Sequence, residues 1–181
     1  MHNANMNALI RQENSADHKS VFKVISAAFK NVVHTDHKEQ YLVKRLRSSD
    51  AFIPQLSLVA NVDGRIVGHV LLTRIIIRND METFNSLALA PVSVLPDYQN
   101  QGIGGKLIIT AHQKAKQLGY TSVILIGHDS YYPRFGYLPA HTFGIELPFE
   151  APLENCMACE LIPGALSEVT GTVAYAKAFY E

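Results

Sequence analysis

The sequence has little of what marks several large classes of protein. Lysine plus arginine and aspartate plus glutamate number 16 each, so the formal net charge is zero. This balance offers no basic field for nucleic-acid phosphates, and we expect no nucleic-acid partner. No run approaches the roughly 20 apolar residues that cross a membrane, and residues 1–14 lack the basic and apolar regions of a signal peptide. We therefore expect a cytoplasmic protein with no membrane partner.

Cysteine is also scarce. The chain has two, Cys156 and Cys159, spaced as C-x-x-C. A zinc site needs further cysteine or histidine ligands at a set spacing, and a redox motif needs a helix start beside it. Neither accompanies this pair. We predict two reduced thiols on a strand and no bound metal.

What is present suffices for one packed domain. The chain has 181 residues, 48% of them hydrophobic and 18% charged, which suits a single domain of ordinary size. We predict one domain over residues 1–181, with a core at about residues 8–140. A C-terminal β extension is predicted at about residues 141–181.

Two helices are predicted in the first third of the chain. After a short strand at residues 8–14, apolar residues recur with a period of 3.6 across residues 21–29. A second helix is predicted at about residues 36–47, with Tyr41 among its inward-facing residues.

Strands dominate the middle of the chain. Asp63 and Gly64 stand between two β-branched runs, the pattern of a tight hairpin. Residues 83–94 form a further predicted strand, interrupted at Pro91 because proline removes a ladder donor. The apolar run at residues 120–127 predicts a buried strand parallel to that one, joined to it by a crossover helix. With one or two more strands in the tail, these elements indicate a mixed α/β sheet.

Three glycines, Gly102, Gly104 and Gly105, lie between the strand at residues 83–94 and the crossover helix. Exposed amides at a helix N-terminus bind anions, and glycine permits close approach. Leu107 stands where a Walker A loop needs serine or threonine, and where a dinucleotide fingerprint needs its third glycine. The loop therefore predicts an anion site of another kind.

Residues 92–104 read VSVLPDYQNQGIG. This stretch resembles the acetyl-CoA motif of the GNAT superfamily of N-acetyltransferases, V-x-P-x-x-[QR]-x-x-G-x-[GA], at every specified position. Residues 132–137, YPRFGY, resemble the family's downstream segment Y-x-x-x-G-[FY]. The similarity is strongest over residues 85–138, and the tail resembles a bacterial branch of predicted acetyltransferases.

The resemblance implies a fold and an activity. The fold would be a mixed, largely antiparallel central sheet with a splayed pair of parallel strands, flanked by helices. The activity would be direct transfer of an acetyl group from acetyl-CoA, without a metal, to a primary amine of a small molecule or peptide. The strand before the loop would pair with the pantetheine arm, and the loop amides would bind the pyrophosphate. The implied cofactor-binding residues are Val92, Ser93, Val94, Gln99, Asn100, Gln101, Gly102, Ile103, Gly104 and Gly105.

The resemblance also implies two catalytic groups. The amide of Val92 would polarise the thioester carbonyl, and Tyr132 would protonate the departing thiolate, with Tyr131 as the alternative ring. Some relatives carry a glutamate base where this chain has Ala88. The other candidate bases, none of which we assign, are Glu82, His69, His128 and Asp129.

Two further readings stay open at this point. One is a CoA-binding regulatory or interaction module without turnover, and the other is transfer of a longer acyl group. The acceptor amine is not specified by any motif. Apolar strands in the tail suggest a homodimer.

Overall fold

The computed structural model describes residues 7–181, where nine strands form one sheet and three α-helices cover its two faces. Residues 1–6, part of the stretch in which we expect no signal peptide, lie outside the described residues. The strands are β1 (Leu9–Gln12), β2 (Ser57–Val62), β3 (Arg65–Arg78), β4 (Thr83–Val94), β5 (Ser122–Ile126), β6 (Tyr137–Pro139), β7 (Ile145–Glu146), β8 (Cys156–Glu160) and β9 (Gly171–Ala174). The helices are α1 (His18–Phe29), α2 (Glu39–Arg47) and α3 (Ile103–Gln117).

The sheet is mixed and mostly antiparallel. Its strand order is β1-β2-β3-β4-β5-β8-β6, and β9 pairs with β3 and with the short β7. The pairs β4–β5 and β7–β9 are parallel, and the other pairs are antiparallel. The predicted fold class, with one parallel pair at the centre of an antiparallel sheet, is confirmed.

The predicted hairpin joins β2 to β3. Asp63 and Gly64 have φ angles of 50° and 84°, and the flanking residues Val62 and Arg65 are register partners. Positive φ at both central positions is the requirement of a type I′ turn, whose twist matches that of the strands.

The predicted interruption of β4 is a bulge. Val70 on β3 faces Val92, whereas Leu72, two residues on, faces Leu89. β4 therefore carries one extra residue beside Pro91. Because of this residue Ala88 and Val92 pack into clusters on opposite faces of the sheet, although a regular strand would place both on one face.

Helices cover both faces of the sheet. α3 buries Leu107, Ile108, Ala111 and Ala115 as its spacing predicts, whereas Leu118, which belongs to the same predicted stripe, follows the end of the helix and is 42% exposed. On the other face, α1 and α2 pack against β2 and β3. The prediction that Tyr41 faces inward is wrong, since Tyr41 is 49% exposed.

The second helix begins three residues later than predicted. The Asp36 side chain accepts a hydrogen bond from the Lys38 amide at 3.0 Å, and Thr35 Oγ1 accepts one from the His37 amide at 2.8 Å. These local bonds hold the backbone in a turn that competes with the helix, which then starts at Glu39.

The C-terminal extension is built into the sheet. β8 inserts between β5 and β6 and carries both cysteines as free, buried thiols, as predicted. β9 was not predicted. It pairs with β3 at Ile76–Arg78. This part of β3 lies beyond Leu71, which pairs with Ser57, the first residue of β2.

We predict that stability falls in mild acid because of His112. Its Nε2 lies 2.8 Å from the Tyr137 hydroxyl, and burial lowers the pKa of His112 to about 4. In the unfolded chain this imidazole takes up a proton below about pH 6.5, whereas in the folded chain it stays neutral down to about pH 4. Between pH 7 and pH 5, His112 should therefore reduce the free energy of unfolding by about 2 kcal/mol.

Urea unfolding at both pH values checks this expectation. His112→Gln should show a decrease between pH 7 and pH 5 that is smaller than the wild-type decrease by about 2 kcal/mol. The control His141→Gln replaces an exposed histidine and should keep the full decrease. Equal pH dependence in wild type and His112→Gln would contradict the account.

Candidate active site

The two central parallel strands separate after a short contact. β4 and β5 pair at two positions, Leu87 with Val123 and Ala88 with Ile124. β4 then continues for six residues and β5 for two without pairing to each other. This gap opens at the bulge of β4 and leads towards the glycine loop.

The edge of β4 that faces the gap carries free backbone donors. The amide of Leu95 donates to the carbonyl of Val67 on the β3 side at 2.8 Å. Amides alternate in direction along a strand, so the amide of Ser93 also points to β3. The amides of Val92 and Val94 therefore point into the gap, where an extended ligand could pair with them.

The glycine loop follows directly. Gln99 Nε2 donates to the carbonyl of Val94 at 3.0 Å and so braces the loop against the end of β4. Gly102 is the N-cap of α3 with φ of 80°, and the first helical bond runs from the Lys106 amide to its carbonyl. The amides before Lys106 have no partner within the helix, which makes this turn an anion site.

Two of the glycines also make room for side chains. A Cβ on Gly104 would lie 3.2 Å from the Tyr131 hydroxyl, and one on Gly105 would lie 3.5 Å from the Phe135 ring. The segment from Tyr131 to Phe135 thus packs on the first turn of α3. Local sequence patterns attributed these glycines to anion access alone and missed this packing.

The adjacent tyrosines Tyr131 and Tyr132, here called the YY pair, lie in different places. The ring of Tyr132 packs on Gly127, one residue beyond β5, and is T-shaped to Tyr131 at 5.1 Å between centroids. Burial, and secondarily Tyr131, raises the pKa of Tyr132. The Tyr131 hydroxyl instead lies beside Gly104 on the loop, so Tyr132 is the ring at the β5 side of the gap.

His69 belongs to a buried polar network. The Ser57 hydroxyl donates to Glu13 Oε2 at 2.6 Å and lies 3.0 Å from His69 Nε2. Since the hydroxyl has one proton, His69 Nε2 must be the donor to it, which makes His69 the neutral Nε2–H tautomer. Glu13 in turn pairs with Arg47. Burial lowers the pKa of His69 to about 4, and its Nδ1 is buried without a hydrogen-bond partner among the described residues.

The other candidate bases do not lie inside the gap. Glu82 precedes β4 by one residue, roughly 30 Å along the strand from Val92. His128 and Asp129 are exposed in the loop after β5. Val92, Tyr132 and the loop lie on segments that border the gap, and the buried His69 is the register partner of Ser93 on the neighbouring strand β3.

The comparison with known families agrees with this geometry. A family model described as "Acetyltransferase (GNAT) domain" matches residues 9–140. The chain belongs to the GNAT acetyltransferase family. The resemblance in the glycine loop and the YPRFGY segment is thereby confirmed at the level of the family, and the chain is an acetyltransferase by that membership.

Two Escherichia coli proteins are similar to this GNAT chain in sequence. The N-acetyltransferase YjhQ of strain K12 is 35% identical over 139 residues, which is 75% of this chain and 77% of YjhQ. The N-acetyltransferase YhbS is 27% identical over 172 residues, which is 94% of this chain and 98% of YhbS.

Two solved structures share the fold over nearly the whole chain. The E. coli YhbS structure, in complex with CoA, has a TM-score of 0.84 at 25% identity and covers 100% of this chain and 96% of its own. A GNAT acetyltransferase from Brucella melitensis, in complex with acetyl-CoA, has a TM-score of 0.76 at 31% identity, covering 96% and 99%.

Within residues 7–181, no helix is long and apolar enough to cross a membrane. Over the same residues, no three His, Cys, Asp or Glu side chains come together as metal ligands.

The place of the Tyr132 ring predicts a strong effect of Gly127→Ala. The new Cβ would lie 2.2 Å from the ring, which is far inside contact distance. We expect a loss of about 1–3 kcal/mol in the free energy of unfolding, measured with urea, because the ring must be displaced.

Gly105→Ala is the matched comparison. Its Cβ meets only ordinary contacts at 3.5 Å, and alanine is the better helix former, so stability should hold or rise by up to about 1 kcal/mol. A Gly127→Ala protein as stable as the wild type would show that Tyr132 does not lie on Gly127.

Proposed function

We propose that this GNAT chain binds acetyl-CoA in the gap between β4 and β5 and transfers the acetyl group directly to a primary amine. The observation that carries the proposal is the open edge of β4. The amides of Val92 and Val94 point into the gap, and the free amides at the start of α3 follow at its end. An extended pantetheine arm has amide groups to pair with the first set, and a pyrophosphate suits the second.

The proposed residues match the chemical parts of the donor in order along the chain. Val92, Ser93 and Val94 would pair with the pantetheine arm through their backbone. The loop would hold the pyrophosphate mainly through main-chain amides, with Gln99 bracing it, and this part of the site comprises Gln99, Asn100, Gln101, Gly102, Ile103, Gly104 and Gly105.

The transfer itself needs two groups of the chain. The acceptor nitrogen attacks the thioester carbon, and the amide of Val92 donates a hydrogen bond to the oxygen that becomes negative. When the carbon–sulfur bond breaks, the Tyr132 hydroxyl gives its proton to the thiolate. Burial raises the pKa of Tyr132, which keeps the phenol protonated but also makes it a weaker acid towards the thiolate.

The acceptor is proposed only as a primary amine of a small molecule or peptide. A free amine balances the reaction, since the proton that nitrogen loses replaces the one that Tyr132 gives to sulfur. An ammonium must first lose a proton, and we assign no residue to that step.

A cytoplasmic location and a homodimer also stay proposals. Free, buried Cys156 and Cys159 suit a reducing compartment. The edge strand β6 and the segment before β8 expose Leu138 at 54% and Leu153 at 63%, which suits a contact between copies. Sedimentation of the purified protein would test the dimer.

The proposal predicts a selective loss in Tyr132→Phe. We expect kcat to fall by about 100-fold or more, because general-acid assistance to the thiolate is lost. The Kd for acetyl-CoA, measured by calorimetry, should stay within about twofold, since the ring that packs on Gly127 is retained. Thiol release against a mixed amine library identifies the acceptor for these assays.

Tyr120→Phe is the matched control. It removes a hydroxyl that accepts a hydrogen bond from Arg74 Nε. Tyr120 precedes the N-terminal end of β5, whereas the gap lies at the C-terminal end, so kcat should be unchanged. Unchanged turnover in Tyr132→Phe would remove the proton-donor role. Acetyl-CoA binding without thiol release for any amine would favour a binding module, and no binding at all would contradict the proposed function.

A further inference from the structure

Arg134 makes a cation–π contact with Tyr131, the tyrosine whose hydroxyl lies beside the glycine loop. Arg134 Cζ is 4.7 Å from the centroid of the Tyr131 ring, and Arg134 Nε donates to the Tyr131 carbonyl at 2.9 Å. These two contacts hold the guanidinium beside the Tyr131 ring.

The Tyr131 ring connects this guanidinium to the anion site. Its hydroxyl lies 3.2 Å from the position of a Cβ on Gly104, the second residue of α3. The charge of Arg134 therefore lies one phenol ring away from the free amides of the loop. Burial raises the pKa of Tyr131, so its hydroxyl stays a neutral hydrogen-bond donor.

The terminal N–H groups of the Arg134 guanidinium are not used in hydrogen bonds to the described residues. Nε is used in the bond to Tyr131. Across residues 7–181, no carboxylate forms an ion pair with Arg134. An exposed arginine fixed at its base, with a free pair of terminal N–H groups, suits bidentate contact with a phosphate.

The helix end alone is a weak partner for coenzyme A. A macrodipole contributes about half an elementary charge, and only over the first turn, whereas the pyrophosphate carries two negative charges. A full positive charge beside the loop would supply most of the missing compensation.

We propose that Tyr131 and Arg134 form the second wall of the pyrophosphate site, with the Tyr131 hydroxyl and the Arg134 guanidinium donating to phosphate oxygens opposite the loop amides. This inference rests on the proposed function, because it requires the donor to lie in the gap. It also separates the roles of the YY pair. Tyr131 binds the phosphates at one end of the pantetheine arm, and Tyr132 donates a proton to the sulfur at the other end.

The test measures binding of CoA and of dephospho-CoA, which lacks the 3′-phosphate and keeps the pyrophosphate. Arg134→Gln should weaken both ligands by the same factor, about 10- to 100-fold, because a charge-assisted bidentate contact is lost. Arg78→Gln is the control, since it replaces an exposed arginine at the far end of β3 and should change neither Kd. The melting temperature without ligand should be equal in all three proteins.

Each other result overturns the inference in a recognisable way. A loss for CoA but not for dephospho-CoA would assign Arg134 to the 3′-phosphate. No loss for either ligand would show that Arg134 makes no phosphate contact, and a loss with a lower melting temperature would make its role structural. If the wild type bound neither ligand, the proposed function itself would fail, which is distinct from failure of this inference.

Discussion

The separation of β4 from β5 is the constraint on which the rest of the structure depends. Adjacent strands normally satisfy each other's amides and carbonyls, and unpaired buried groups cost free energy. Here the pairing stops after Ala88 and Ile124. The extra residue beside Pro91 turns β4 so that Val92 faces α3 while Ala88 faces the other side. The donors left over on β4 are the basis of the proposed acetyl-CoA site.

The C-terminal extension holds the other side of this gap. β8 pairs with the full length of β5, on the edge away from β4. Just beyond β5, the amide of Gly127 donates to the carbonyl of Asn155 at 2.9 Å, and the Asn155 side chain donates to the carbonyl of Gly127 at 2.8 Å. These bonds use the groups through which Gly127 would continue a ladder. The extension therefore fixes the platform on which the Tyr132 ring lies.

Features set by neighbouring residues could be predicted from the sequence. The hairpin at Asp63 and Gly64, the bulge at Pro91 and the helix that follows Gly102 each depend on local backbone preferences. The family resemblance added the splayed pair, which no local pattern specifies. The assigned roles of Val92, Tyr132 and the loop stay predictions.

Features set by distant residues could not be predicted. The pairing of β9 with the end of β3, and the insertion of β8 between β5 and β6, join segments far apart in sequence. The packing of Tyr131 on Gly104 is of the same kind. His69 shows the limit most clearly, since alternation places it on a strand but only the fold brings Ser57 and Glu13 to it.

Amide hydrogen exchange, followed by NMR with and without CoA, tests the central claim most directly. The account predicts that the amides of Val92 and Val94 exchange rapidly in the free protein and become protected when CoA is added, because the pantetheine arm pairs with them. The amide of Ser93 points to β3 and should be protected in both states. Unchanged exchange at Val92 and Val94 at saturating CoA would contradict the claim that the gap binds the donor.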